Sequence, residues 1–466
     1  MRRNAALLAV GLLSSCATYQ PHPLAPAQWQ ASYEARTLAD PALRDFIARS
    51  SPRSVQHWPV RRWNLETLVL AAFYYSPQLD VARKQWAARS AATITAAQRP
   101  NPALLLPFAY AVNPAGGKSP YTLGLGLDIP IETAGKRGYR IKRAEALANA
   151  ARFDAGNAAW QVRTRVRAQL LGLYAASRRA SIFESRIGVQ QEIAALLDTR
   201  AALGAASSPE VDQAHIALTQ NRVDLAAARQ QLYDARARLA GLIGVPRDAL
   251  TNIDFDFAAF ERRPTALPDV EAQRRSLLNR ADLLSALAHY RASEAALQLE
   301  VARQYPDVRL RAGYTFDMGT NKYALSGAGI TLPIFNRNEG PIAEAKARRD
   351  VIAARVNALQ ARAINETGRS LADYEAALNK VSLADALVAA QRTRLQRLRR
   401  TFEAGQTDRL ALALATRLLY VDELAHLDAG VEVQQALGAL EDAMQLPFAD
   451  VSSPSPDSGT ERRPSP

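Results

Sequence analysis

A chain of 466 residues is long enough for two or three ordinary domains, and 48% hydrophobic residues exclude disorder throughout. Aromatic residues reach only 7% while Ala dominates the apolar share, a balance that favours long, closely packed helices over a bulky core. The formal charge of +13 would suit nucleic acid in a cytosolic protein. The N-terminus reads instead as an export signal, so no nucleic-acid partner is expected, and the surplus is assigned to solvated helix faces or to anionic lipid.

That signal consists of Met1, Arg2 and Arg3, the apolar run AALLAVGLL, and Leu13-Ser14-Ser15-Cys16. The run is too short to cross a bilayer as a helix. No later stretch reaches roughly 18 uncharged apolar residues, so any membrane crossing must be made by strands. Cys16 is the only cysteine, which rules out an internal disulfide and a cysteine-based structural zinc site. Leu-Ser-Ser-Cys resembles the bacterial lipobox. That resemblance implies a signal peptide over 1–15, acylation of Cys16 and, with Ala17 following, sorting to the outer membrane. Each buried acyl methylene contributes roughly 0.8 kcal/mol, so several chains form a firm anchor. Residues 16–60, Pro-rich and polar with a helical piece near 34–49, are expected to form a lipid-anchored tether.

Beyond the tether the chain repeats itself at a period of about 200 residues. Leu79 and Pro102 lie 23 residues apart, as do Leu283 and Pro306; Pro102 to Pro130 is 28 against 27 for Pro306 to Pro333; Pro130 to Gly204 is 74 against 72 for Pro333 to Gly405. Three successive matched intervals predict a duplication, with repeat units over 61–260 and 261–448. Each copy opens with a helical stretch, 64–99 or 268–304, closed by Pro100 and Pro102 or by Pro306, because proline lacks an amide and clashes with the preceding turn.

The hydrophobic period then changes from 3.6 to 2, predicting strands near 102–112 and 121–130 and near 307–317 and 323–332. Tyr121, Leu123, Leu125, Leu127 and Ile129 alternate with Thr122, Gly124, Gly126 and Asp128; Val308, Leu310, Ala312, Tyr314 and Phe316 alternate with Arg309, Arg311, Gly313, Thr315 and Asp317. The strand over 323–332 alternates poorly. Loops are expected at 113–120 and 317–322. Next come two very long helices, about 137–203 and 341–404, each reaching roughly 100 Å at 1.5 Å per residue. Val162, Val166, Leu170 and Leu173 give the first an apolar stripe, and Arg163, Arg167, Arg178 and Arg179 fall in its charged remainder. Both stop at small-residue turns, Gly204 to Ser208 and Gly405 to Thr407, before a shorter return helix. The tail 449–466 lacks the apolar content to fold.

Four strands of about ten residues suit an outer-membrane wall but cannot close it. In hydrocarbon every backbone group must be paired, and an open sheet leaves two unsatisfied edges. The chain must therefore borrow strands from copies of itself; a dimer reaches the 8 strands of the smallest barrels and a trimer reaches 12.

This plan resembles the TolC-like outer membrane factor family over nearly the whole mature chain. The motifs that carry the likeness are PNPALLLPF, YPDVRLRAGY, LDIPIETAGKR, ITLPIFNRNEGPIAEA, LGAASSPEVDQA and FEAGQTDRLALA. LDIPIETAGKR looks most like the heavy-metal efflux branch. The resemblance implies a mainly α protein with a membrane β-barrel portion: a homotrimer with a 12-stranded barrel on a periplasmic α-barrel. Its tips would dock a periplasmic adaptor and, through it, an inner-membrane exporter. The docking residues it implies are Gly204, Ala205, Ala206, Ser207, Ser208, Gly405, Gln406 and Thr407, although glycine followed by Ser or Thr is also ordinary helix-ending chemistry. A closing latch near the tips falls on Asp212, Phe402, Asp408 and Arg409; Phe402 stands where the family commonly has an aromatic hydroxyl. The run Arg392, Arg394, Arg397, Arg399 and Arg400 reads as a solvated helix face, or as a complement to an acidic adaptor.

Enzymatic readings fail. Gly117-Lys118-Ser119 resembles the end of a phosphate loop, but Val112 replaces the opening glycine and Pro120 blocks the helix that should follow. The five histidines, His22, His57, His215, His289 and His426, lack metal-ligand spacing. No cofactor is expected. Two alternatives to an efflux duct remain open: a channel for one-step protein secretion, and a lipid-anchored coiled-coil scaffold without a pore.

Overall fold

The computed structural model describes residues 18–51, 57–262, 264, 267 and 269–448. The expected signal peptide, Cys16 and the tail lie outside these residues. Helices α1 (Pro26–Glu34) and α2 (Pro41–Ser50) both start on proline, whose fixed φ suits a first helical turn. They correct the expectation of a tether. Leu38, Leu43 and Ile47 are buried in the main core, Arg36 donates to the Gly244 carbonyl at 2.8 Å, and the Tyr75 hydroxyl donates to the Thr37 carbonyl at 3.0 Å and to Asp40 at 2.9 Å. The polar side chains that gave this segment the composition of a linker are its attachments to the body.

After the short strand β1 (Arg62–Trp63), the helix expected over 64–99 is two helices, α3 (Leu65–Tyr75) and α4 (Pro77–Ala97). Ser76 ends one and caps the other by accepting from the Leu79 amide, while Pro77 cannot extend α3. Strands β2 (Ala103–Leu105), β3 (Phe108–Tyr110) and β4 (Tyr121–Ile131) follow, then the long α5 (Lys136–Ala202) and its return partner α6 (Ser208–Ile243). Strand β5 (Asp254–Phe255) pairs in parallel with β1 and ties the end of this half back to its beginning. The second half runs through a single-turn α7 (Ala258–Glu261), α8 (Val270–Asn279), α9 (Ala281–Ala302), β6 (Val308–Asp317), β7 (Thr320–Ile330), α10 (Glu339–Glu403) and α11 (Arg409–Met444).

The membrane-type strands form one antiparallel sheet in the order β2 and β3, β4, β6, β7. Its centre joins the two halves, with Thr122 opposite Asp317 and Ile131 opposite Val308. Two boundaries differ from expectation. The strand predicted over 102–112 is split at Leu106 and Pro107, since proline cannot donate to the ladder. The strand predicted over 323–332 begins at Thr320, and the expected loop over 317–322 shrinks to Met318 and Gly319. Both have positive φ, 48° and 92°, the geometry of a two-residue hairpin turn. Methionine is a rare residue in such a turn, which hid it.

Helix α5 has 67 residues and α10 has 65, so each reaches roughly 100 Å. Helices α6 and α11, 36 residues each, pack along the lower parts of α5 and α10 and stop midway. There α4 and α9 take over the vacated flanks, so four helices stand side by side at either level. At the changeover lies the main core, in which Leu43, Trp63, Leu68, Val166, Leu170, Leu239 and Ile243 meet. A second core joins Tyr374 and Val381 of α10 to Val433, Leu437 and Met444 of α11.

The apolar stripe of α5 packs as predicted, but Arg167 does not belong to a solvated remainder. Its side chain is 7% exposed and lies 3.3 Å from Glu441 of α11, which is 5% exposed. It also donates to the Gln434 carbonyl at 2.7 Å and to the Gln434 side chain at 3.0 Å. Gly438 makes room: a Cβ there would stand 2.4 Å from Arg167 Nη1.

Candidate functional site

Three places bear on the function the sequence suggests: the helix tips, the seam between them, and the sheet. At the tips α5 and α10 end alike. Gly204 and Gly405 adopt φ of +69° and +73°, where a side chain would be strained. The Ala205 and Gln406 amides reach back to the carbonyls of Arg200 and Thr401 at 2.7 and 2.9 Å, closing Schellman-type turns. The return helices then start on different caps. In α6 the Glu210 carboxylate accepts from both the amide and the hydroxyl of Ser207 at 2.8 Å, bonds that hold it below the usual carboxylate range. In α11 the cap is Asp408, which accepts from the Ala411 amide at 2.7 Å. Gly204, Ala205, Ser207, Ser208, Gly405 and Gln406 are exposed, while Ala206 and Thr407 are half-buried.

Ion pairs then fasten one tip to the other. Arg200, near the end of α5, donates to Asp408, the cap of α11, at 2.6 Å, and Arg409 pairs with Glu192 on α5. Ile193, Ala194, Ala214 and Ala413 pack beneath them. The Asp408 carboxyl is held below the ordinary carboxylate range, first by the Ala411 amide and then by Arg200. Arg409 also lies over the Phe402 ring, 5.9 Å from its centroid. Three of the four expected latch residues thus belong to one seam. Asp212 stands apart, exposed on α6 with no side-chain partner among the described residues. Sequence reasoning missed Arg200 and Glu192, because partners from different hairpins have no fixed spacing. In the basic run, Arg392 pairs with Glu423 at 3.0 Å, and Arg394, Arg397, Arg399 and Arg400 are exposed.

The sheet has two unlike faces. On one, Leu104, Phe108, Tyr110, Tyr121, Leu123, Leu125, Leu127 and Tyr323 are all exposed. A contiguous exposed apolar face of this kind marks a surface that something covers. Tyrosines pair across the strands toward the hairpin end, Tyr110 with Tyr121 and Tyr314 with Tyr323, at centroid distances of 5.4 and 5.1 Å, as in an interfacial aromatic girdle. The other face carries Thr122, Gly124, Gly126, Asp128, Arg309, Arg311, Gly313 and Thr315. Within the chain neither the outer edge of β2 and β3 nor that of β7 has a partner strand among the described residues. No described helix is long and apolar enough to cross a membrane.

The sequence model of the outer membrane efflux protein family matches residues 72–245 and again 273–444. The chain belongs to that family. Among curated members, the cobalt-zinc-cadmium resistance protein CzcC of Cupriavidus metallidurans is 27% identical over 246 residues, 52% of this chain and 58% of that protein. The pyoverdine export outer membrane protein OpmQ of Pseudomonas aeruginosa is 26% identical over 340 residues, 68% of this chain and 70% of that one. The match to CzcC thus spans less than two thirds of its length. Among solved structures, the outer membrane protein VceC of Vibrio cholerae superimposes with a TM-score of 0.65 at 22% identity, covering 82% of this chain and 96% of that one. Likeness at that identity shows a shared fold, mainly helical.

Proposed function

We propose that this efflux-family chain is the outer-membrane exit duct of a tripartite export system. Three copies close a 12-stranded barrel on a helical tube, and the tube passively conducts small solutes or metal ions delivered by an inner-membrane exporter. The observation that carries the reading is the sheet itself. It has one lipid-type face, one polar face and two unpaired edges, mounted on helices roughly 100 Å long. A scaffold without a pore has no use for such a sheet. In this reading Cys16 carries the lipid anchor, residues 61–260 and 261–448 are duplicated halves, and the turns at 204–208 and 405–407 dock the adaptor. Asp408 and Arg409, seated on Arg200 and Glu192, are the latch that keeps the tips together.

The test is cysteine crosslinking in outer-membrane vesicles. Pairs are introduced along the two sheet edges, on β3 at Phe108 and Tyr110 and on β7 at Asn321 and Tyr323. A ladder ending at the trimer is expected for one register. Monomers throughout, or a ladder ending at the dimer, overturn the trimeric barrel.

A further inference from the structure

The polar face of the sheet is not evenly coloured. At its middle, Gly126 stands opposite Gly313 and Gly124 opposite Thr315, with the Pro107 ring packed over Gly124 and Leu105 beside Gly126. At its helix-proximal end the register sets Asp128 opposite Arg311 and Pro130 opposite Arg309. The partner strand β7 slips register at this level, between Arg309 and Arg311, and such a bulge re-aims side chains where it falls. Asp128 is nearly buried, with 7% of its side chain exposed, and a single oxygen, Oδ2, faces both guanidinium groups, at 3.4 Å from Arg309 and 3.3 Å from Arg311. The two arginine side chains remain 59% and 51% exposed. Toward the other end of the same face Lys322 is matched by Asp317 at 2.6 Å. The helix-proximal end presents two half-exposed guanidinium groups over one sunken carboxylate.

We propose that Arg309 and Arg311, seated on Asp128, are the charge filter of the duct: a cationic throat at the passage from helical tube to barrel that favours anionic solutes over cations. The inference rests on the closed-barrel reading above, which turns the polar face inward. In a trimer it gives a ring of six guanidinium groups seated on three copies of Asp128. In a low-dielectric wall a ring of one sign concentrates counter-ions and repels like charge. Free metal cations would meet a barrier there, and multiply charged anions a site of attraction.

The purified full-length protein in planar bilayers supplies the test, with inorganic tripolyphosphate as probe, added to the barrel side. Wild-type channels should be blocked by tripolyphosphate, and Arg309→Gln with Arg311→Gln should raise the half-blocking concentration at least about tenfold. The charge-preserving Arg309→Lys with Arg311→Lys should keep the block, and Asp128→Asn should strengthen it. If the double glutamine variant fails to insert, Arg309→Gln alone should weaken the block in the same direction. Equal sensitivity of wild type and glutamine variants, or block by spermidine in place of tripolyphosphate, overturns the filter and leaves the duct standing. Wild-type trimers that conduct nothing under any condition overturn the duct reading itself.

Discussion

Arg167 and Glu441 form an ion pair 3.3 Å long, inside the protein, between the long helix of the first half and the return helix of the second. Burial pushes the guanidinium's pKa down and Glu441 pushes it back up. The pair is fully furnished. Arg163 also reaches Glu441 at 3.1 Å, the Phe448 amide donates to Glu441 at 3.0 Å, and Gln434 carries the network on to the carbonyls of Phe260 and Arg262. The link between the halves therefore crosses from α5 through α11 to the chain that joins them.

Removing Glu441 leaves two arginines without their carboxylate, one of them buried, whereas removing Arg167 leaves Glu441 with Arg163 as its remaining cation. Glu441→Gln should destabilise the junction of α5 and α11 by about 3–5 kcal/mol, and Arg167→Ala by less. The double variant Arg167→Met with Glu441→Leu should recover much of that loss. Thermal melts followed by limited proteolysis between α11 and α5 read the difference; an unchanged melt in both single variants would show the pair to be idle.

Gly438 is expected to be intolerant for a reason of space. Gly438→Ala places a methyl where Arg167 Nη1 now lies, and the arginine must leave its bonds to Gln434. The melt should fall as in Arg167→Ala, and the two substitutions combined should cost much less than their sum. Additive losses would separate the glycine from the ion pair.

The tip seam has a defined pH behaviour. The Asp408 carboxyl titrates below its ordinary value of 3.8 in the folded chain. A depressed carboxylate contributes stability that is present above that ordinary value and is lost as pH falls through the lower, folded value. Channel conductance in a bilayer should therefore stay flat from neutral pH down to about the ordinary carboxylate value and rise only below it. Asp408→Asn and Arg409→Ala should raise conductance already at neutral pH. Unchanged neutral-pH conductance in both removes these residues from the latch.

The two faces of the sheet should answer oppositely to the same charge. Leu125→Arg, on the lipid-type face near mid-strand, should weaken the folded barrel by about 2–4 kcal/mol and reduce heat-modifiable trimer on gels. Thr315→Arg, on the polar face, should leave trimer yield close to wild type. Equal loss in both would reverse the assignment of faces.

Adaptor docking is read by crosslinking. Cysteines at Ala205 and Gln406, both exposed at the turns, should crosslink to a partner adaptor, whereas cysteines at Leu239 or Val433, inside the cores, should not. An adaptor that crosslinks equally to neither tip position contradicts docking there.

Most of the fold was legible because it is written in periodicity and punctuation. Pro130, Pro333, Gly204 and Gly405 mark the ends of elements by backbone chemistry that no tertiary context overrides, and the long helices fall within two residues of their predicted bounds. What stayed hidden depends on pairing between distant segments. Arg167 reads as one more arginine on a helix until Glu441 is folded against it, and Arg200 lies more than two hundred residues from Asp408. Residues 16–60 read as a tether with one helical piece because the few apolar side chains of that piece, Leu43 and Ile47 among them, fill gaps left by other elements. Arg309 and Arg311 were visible as charges on the polar side of a strand, but Asp128 beneath them becomes apparent only from the register of β4 against β6.

Only α5 and α10 run from the turns at Gly204 and Gly405 to the strands; α6 and α11 finish at Ile243 and Met444, embedded in the two cores. A push or twist applied at the tips thus travels toward the outer membrane through two rods per subunit, while the other two terminate in a packed collar. In the duct proposed above, that collar would serve as a bearing about which the lower half splays while the sheet above keeps its shape.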